Sequence, residues 1–129
     1  MIAIDTNVVV RYLVADDTEQ FGRAAALIEG RPVFVCTTVI LEVEWVLRAI
    51  YRLDRPAILR GLHDFAALPT VAVEDRSVLS QALDWADQGM DFADALHLAS
   101  AEKCEAFASF DRDLAKTAAR LGAVAVGAP

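Results

Sequence analysis

At 129 residues, with a formal charge of −7, 56% apolar residues and 24% charged ones, the chain excludes several classes at once. It is too apolar to stay disordered, and its apolar runs fall well short of the ~20 residues of a membrane span. Its acidic balance argues against a general nucleic-acid coat protein, whose contacts to phosphate need net positive charge. The length suits a single domain over residues 1–129 with one substantial core.

The predicted elements alternate short β-type runs with longer helical ones. Ile2-Ala3-Ile4 reads as a first strand, with no basic region or cleavage site of a secretory signal, so a cytoplasmic protein is expected. A helix follows from about Asn7 to Val14. Asp17, with Gln20 three residues on, has the spacing of a capping box for a second helix ending at Gly30. Pro32 introduces Val33-Phe34-Val35-Cys36, an apolar run suited to a strand covered on both faces. Thr37 or Thr38 is placed to cap the next helix, which extends to about Arg52. Asp54-Arg55-Pro56 restarts helical structure through Ala67, and Pro69 stops it.

Val71-Ala72-Val73 is the third strand, and Asp75 caps a helix through Asp87 that Gly89 ends. Asp91 opens a further helix, Phe92 to Cys104. Phe107-Ala108-Ser109-Phe110 is a fourth strand, Asp111 starts a last helix that Gly122 ends, and Ala123 to Val126 makes a short fifth strand. Strands separated by helices imply right-handed crossovers and a parallel sheet covered on both faces. Sites in such sheets form at the carboxyl ends of strands. Cys36 and Cys104 are isolated thiols without metal-type spacing and are expected to be buried in the core.

Four acids stand where folding alone gives them little to do: Asp5, Glu42, Asp94 and Asp111. Asp5 directly follows the first strand, with Thr6 and Asn7 beside it to supply hydrogen bonds. It also suits a helix N-cap. Glu42 and Glu44 share a helix. Glu44 has Arg48 four residues on, so a solvated ion pair accounts for it. Glu42 has only Val39, Trp45 and Val46 at those spacings and needs a partner elsewhere. Asp91 suits an N-cap, whereas Asp94 shares its helical face with His97, Leu98 and Ala101 and is the stronger ligand candidate. Asp111 follows the fourth strand, Ser109 can donate a hydrogen bond near it, and Asp113 faces solvent. Gathering such carboxylates is costly: two of them about 5 Å apart repel by roughly 3 kcal/mol at an effective dielectric near 20. A divalent cation is the natural compensation.

Between Trp45 and His63, Arg48, Arg52, Arg55 and Arg60 face only Asp54, a local charge of +3 that leaves −10 for the rest of a chain totalling −7. Arg48, Arg52 and Arg55 are therefore candidates for holding a nucleic-acid backbone or an acidic partner segment. The apolar stripe from Val39 to Ile50, including Trp45, suits the core, a dimer contact or a partner.

Taken together, the segments resemble PIN-domain proteins, and particularly the VapC-type ribonuclease toxins of prokaryotic toxin–antitoxin pairs. The resemblance covers nearly the whole chain. It rests on Ile2-Ala3-Ile4-Asp5-Thr6-Asn7, on Glu42 in the helix after strand two, on Asp94-Ala95-Leu96-His97-Leu98-Ala99 and on Ser109-Phe110-Asp111-Arg112-Asp113. It implies a three-layer α/β/α fold with a central parallel sheet of strand order 3-2-1-4-5. It also implies hydrolysis of RNA with Mg²⁺ or Mn²⁺, with Asp5 and Asp94 as principal metal ligands and Glu42 and Asp111 completing the set. A cognate antitoxin and a homodimer are the implied partners, and no membrane is.

A haloacid-dehalogenase type enzyme would need a second acid where Asn7 stands. A response-regulator receiver would need a phospho-accepting Asp after a central strand and a lysine near the end of a late one; the third strand leads to Glu74-Asp75, and no suitably placed lysine follows. The alternative that keeps the same shape is a non-catalytic PIN-fold binding module.

Overall fold

A computed structural model describes residues 1–129, which divide into two compact units, Met1–Arg76 and Ser77–Pro129. The first contains β1 (Ile2–Ala3), α1 (Thr6–Val14), α2 (Thr18–Gly30), β2 (Val33–Val35), α3 (Thr37–Ala49), α4 (Arg55–Ala66) and β3 (Val71–Val73). The second contains α5 (Arg76–Asp87), which begins on the boundary residue, then α6 (Phe92–Ser100), β4 (Phe107–Ala108), α7 (Arg112–Leu121) and β5 (Val126–Gly127).

In the first unit β2 pairs in parallel with both β1 and β3, with Val33 opposite Ile2 and Val71. Its Val33 and Val35 are fully buried, which explains a run without polar alternation. The ladder continues past the strand ends, Ile4 N–H donating to Phe34 O at 3.0 Å and Glu74 N–H to Val35 O at 3.0 Å. Asp5 and Glu74 thus leave the carboxyl edge of this sheet side by side with the start of α3. Beneath it, α1 packs against α2 and α3, and α3 against α4. The packed faces bury Val9, Ile28, Ile40, Val43, Leu47, Leu62 and Phe65. Each such side chain removed from water contributes about 1.5–3 kcal/mol.

In the second unit β4 pairs in parallel with β5, Phe107 opposite Val126 and Ala108 opposite Gly127. The strands therefore form two sheets, ordered β1-β2-β3 and β4-β5. The expected single order 3-2-1-4-5 is corrected to its two segments, 3-2-1 and 4-5. Strands β1, β4 and β5 are two residues each, so each offers few backbone groups for a second ladder. The fourth strand stops at Ala108 rather than Phe110, and the side chain of Phe110 is 83% exposed.

Helix starts follow the acids read from the sequence. Asp17 Oδ1 accepts from Gln20 N–H at 2.9 Å and Asp54 Oδ1 from Ala57 N–H at 2.9 Å. At α3 the expectation fails. Its N-cap is Cys36, which makes no side-chain cap bond, and neither Thr37 nor Thr38 caps the helix. Instead Glu74, from the end of β3, accepts from Thr37 N–H at 2.9 Å. A cap borrowed from a neighbouring strand leaves no local sequence signal. Glu74→Ala is expected to cost about 0.5–1 kcal/mol, the usual worth of a lost cap, and to lower the melting temperature by a few degrees. An unchanged melting curve would show that water replaces this bond without loss.

The end of α3 also differs from the sequence reading. It stops at Ala49, and Tyr51 N–H reaches back to Val46 O at 3.2 Å and Leu53 N–H to Leu47 O at 3.1 Å. Arg52 lies between them in the left-handed region at φ 56°, which is incompatible with continuing the helix. Likewise α6 ends at Ser100, before Cys104. Neither thiol is a core residue: Cys36 is half-buried, Cys104 is exposed, and both are free. The chain around Cys104 has already left α6, so it loses the helical periodicity on which a buried position would depend. No helix is long and apolar enough to cross a membrane.

Candidate functional site

In the first unit the site begins at Asp5, in extended backbone (φ −89°, ψ 166°) at the carboxyl end of β1. Its Oδ1 accepts from Thr6 N–H at 2.8 Å, so it caps α1 while Oδ2 stays outside that bond. Thr6 is buried at 7% exposure, and its hydroxyl donates to Glu42 Oε1. A threonine at the first position of α1 therefore ties together the two acids that flank it, one from β1 and one from α3. They share an open cleft of about 360 Å³ with Asn7, Arg11, Val46 and Tyr51.

The Glu44–Arg48 ion pair forms as the sequence suggests, but the burial of the two α3 acids is the reverse of the sequence reading. Glu42 is exposed and faces the cleft, whereas Glu44 is buried at 6% exposure. The rotation of α3 is set by burial of Ile40, Val43 and Leu47, and Glu44 falls on that same stripe, four residues after Ile40. Arg48 answers the buried carboxylate with two bonds, Nε to Oε2 at 2.8 Å and Nη2 to Oε1 at 3.3 Å. Trp45, on the opposite side, is 51% exposed. Most of the apolar stripe is thus core, as expected, and Trp45 and Ile50 are left outside it.

Arg11 was not among the residues expected at the site. It lies one helical turn after Asn7, and its Nη1 donates to Asp16 Oδ1 at 3.0 Å and to Tyr51 Oη at 3.2 Å. Asp16 and, secondarily, Tyr51 hold the guanidinium still more firmly protonated than usual. The available signal was a single cation four residues after Asn7 in an otherwise apolar helix, Thr6-Asn7-Val8-Val9-Val10-Arg11.

In the second unit Asp91 caps α6, its Oδ2 accepting from Asp94 N–H at 3.1 Å. Asp111 caps α7, its Oδ1 accepting from Leu114 N–H at 3.0 Å. Ser109, expected as a nearby donor, serves here as an acceptor, its Oγ taking the Asp111 N–H at 3.0 Å. Asp94 is half-buried, and its carboxyl is pushed above the usual range, first by burial and then by the charges of Asp91 and Asp111, with His97 opposing. His97 itself is exposed. Asp91 and Asp111 thus lie close enough to Asp94 for their charges to act on it.

Within neither unit do three His, Cys, Asp or Glu side chains already form a closed metal cage. The donors nevertheless suit a hard divalent cation. All are carboxylate oxygens, and the raised Asp94 carboxyl marks a place where added positive charge is favourable.

A stability prediction follows from Asp94. A carboxyl whose folded pKa lies above its unfolded value binds more protons when folded. Stability is therefore lost as pH rises from the usual value of 3.8 through the raised one, and the penalty is full at neutral pH. Asp94→Asn removes it. Without divalent metal the variant should melt at or above the wild-type temperature at neutral pH, with the difference closing below pH 3.8. A large drop in its melting temperature would instead make the Asp94 carboxylate a structural support of α6.

Parallel β-α units with acids at the carboxyl ends of β1 and β4 define an α/β protein of a recognisable class. Residues 2–120 match the family model of the PIN domain, and the chain belongs to that family. Among solved structures it is similar to the Mycobacterium tuberculosis VapC20, a Sarcin-Ricin loop cleaving toxin. Identity is 23%, with 90% of this chain and 94% of that one covered, at a TM-score of 0.46. No curated protein matches.

Proposed function

We propose that the chain is a divalent-metal-dependent endoribonuclease, the toxin of a VapBC-type pair, with Asp5, Glu42, Asp94 and Asp111 as its acidic set. The observation that carries this reading is the cleft in which Thr6 couples Glu42 to Asp5 at the carboxyl end of β1. Membership of the PIN family supports it, as does the second acidic group around Asp94. Mg²⁺ or Mn²⁺ would be held by Asp5 and Asp94, with Glu42 and Asp111 completing the set. When bound, such an ion supplies positive charge to phosphate oxygens and makes a water more acidic.

The chain's own groups have distinct tasks. Asp5 presents Oδ2, since Oδ1 is engaged by the start of α1. Glu42 is oriented through Oε1 by the Thr6 hydroxyl, leaving Oε2 to accept a proton from the attacking water. Arg11, braced by Asp16 and Tyr51, lends a fixed positive charge to the same cleft. A cognate antitoxin and a second copy of the chain are the partners in this reading, which places the protein in the cytoplasm. The exposed Trp45, Ile50 and Leu53 offer apolar surface to one of them.

The test is cleavage of transfer, ribosomal and messenger RNA by the purified, antitoxin-free chain, with Mn²⁺ or with a chelator. Cleavage of at least one class with Mn²⁺ and of none with chelator is expected. A chain that binds the metal and leaves every class intact is the non-catalytic PIN-fold module.

A further inference from the structure

A second cleft in the first unit, about 520 Å³, opens between α1 and α2 and is not part of the acidic set. Its polar lining is Asn7, Arg11, Gln20 and Arg23, over a floor that includes Ala24 and Leu27. No acid lines it, in a chain of net charge −7. Of the acids on the flanking segments, Asp17 is engaged with the start of α2 and Glu29 with the Tyr12 hydroxyl, Asp16 pairs with Arg11 at the cleft itself, and Glu19 stands four residues before Arg23 on α2 without lining the cleft. Arg23 is exposed on α2 and makes no ion pair within the chain. Asn7 and Arg11 line both this cleft and the Asp5–Glu42 cleft, so the two adjoin along α1, the acids lining one and Arg23 the other.

The geometry points to the α1–α2 cleft as a subsite for an RNA backbone phosphate next to the one being cleaved, with Arg23 and Arg11 as its cations and Asn7 and Gln20 as neutral donors. The inference rests on the ribonuclease reading above and assigns the path the substrate takes away from the carboxylates. A single strand whose reacting phosphate sits at Asp5 and Glu42 must carry further phosphates past it. The α1–α2 cleft has no carboxylate in its lining, and of its two cations only Arg11 is paired, with Asp16. Arg48, the first arginine suggested by local charge, is bound to Glu44. Of the two cations in this cleft, Arg23 is the one that a phosphate can engage without breaking an ion pair. A contact of this kind positions the strand without reading its sequence.

The experiment measures binding of a fluorescent single-stranded RNA by anisotropy over a salt series. It uses the full chain carrying Asp94→Asn, which leaves the α1–α2 cleft untouched while removing a proposed metal ligand. Adding Arg23→Glu should weaken binding several-fold for unrelated RNA sequences alike. Arg23→Ala should reduce the slope of log affinity against log salt by about 0.7, the value of one phosphate contact on a single strand. Arg60→Ala, on the exposed face of α4, serves as the charge-matched control and should change neither.

Affinity and slope indifferent to Arg23, or no RNA binding at all, overturns the assignment. So does an acidic peptide that binds through Arg23 while RNA ignores it, which would make the cleft a protein-docking site. Cleavage is assayed separately with Asp94 native. Intact cleavage with Arg23-independent binding sinks the subsite alone. Arg23-dependent RNA binding by a chain that cleaves nothing sinks the nuclease reading alone.

Discussion

Chains carrying Asp5→Asn or Asp94→Asn should lose Mn²⁺-dependent RNA cleavage by at least about 100-fold, the scale on which single charge-stabilising groups act. Each substitution keeps the shape of the side chain and removes one negative charge. For Asp5, the remaining amide oxygen can still accept from Thr6 N–H, so the start of α1 is preserved and the loss is confined to the cation and the water it activates. For Asp94, the repulsion from Asp91 and Asp111 disappears, so folding is not impaired. Single-turnover cleavage at saturating Mn²⁺, with melting curves run in parallel, checks both points. Wild-type rates in either variant would remove that carboxylate from the catalytic set.

Arg48→Ala should be among the most destabilising single changes on the surface of the first unit. It leaves the Glu44 carboxylate at 6% exposure without the two bonds it now receives. Breaking a fully buried pair costs about 3–5 kcal/mol. The Arg48 side chain is 53% exposed, so water screens and partly replaces it, and about 1–2 kcal/mol is the fitting expectation. For a chain of this size that is a fall of several degrees in melting temperature. The double variant Glu44→Leu with Arg48→Met should recover most of the loss, because it removes the orphaned charge together with its partner. A melting temperature unchanged in Arg48→Ala would show that Glu44 finds water or another donor. The same pairing commits Arg48, one member of the arginine cluster from Arg48 to Arg60, to a bond within the chain.

Much of the site was legible because its acids occupy places with a local meaning. Asp5 and Asp111 follow strands, open helices and bond the backbone there, as hydrogen-bonding side chains at N-caps do. Asp94 stands one turn inside a helix among apolar and small neighbours, and burial does raise its carboxyl. Glu42 shares a cleft with Asp5, but the local reason for singling it out did not hold. It lacked a cation on its own helix, but the buried acid proved to be Glu44. Helical spacing shows which residues share a face and does not say which face is turned inward when two apolar stripes compete.

By itself the chain determined the order of strands and helices, the caps at Asp17, Asp54, Asp91 and Asp111, and the membership of the acidic set as an expectation. Those depend on backbone preference, periodicity and neighbours within a few residues. Tertiary structure alone decided the rotation of α3, the cap lent by Glu74 to Thr37, the Thr6 link to Glu42 and the basic cleft between α1 and α2. Each joins groups from different elements, so it depends on how helices seat against the sheet and one another, and no short stretch of sequence encodes that.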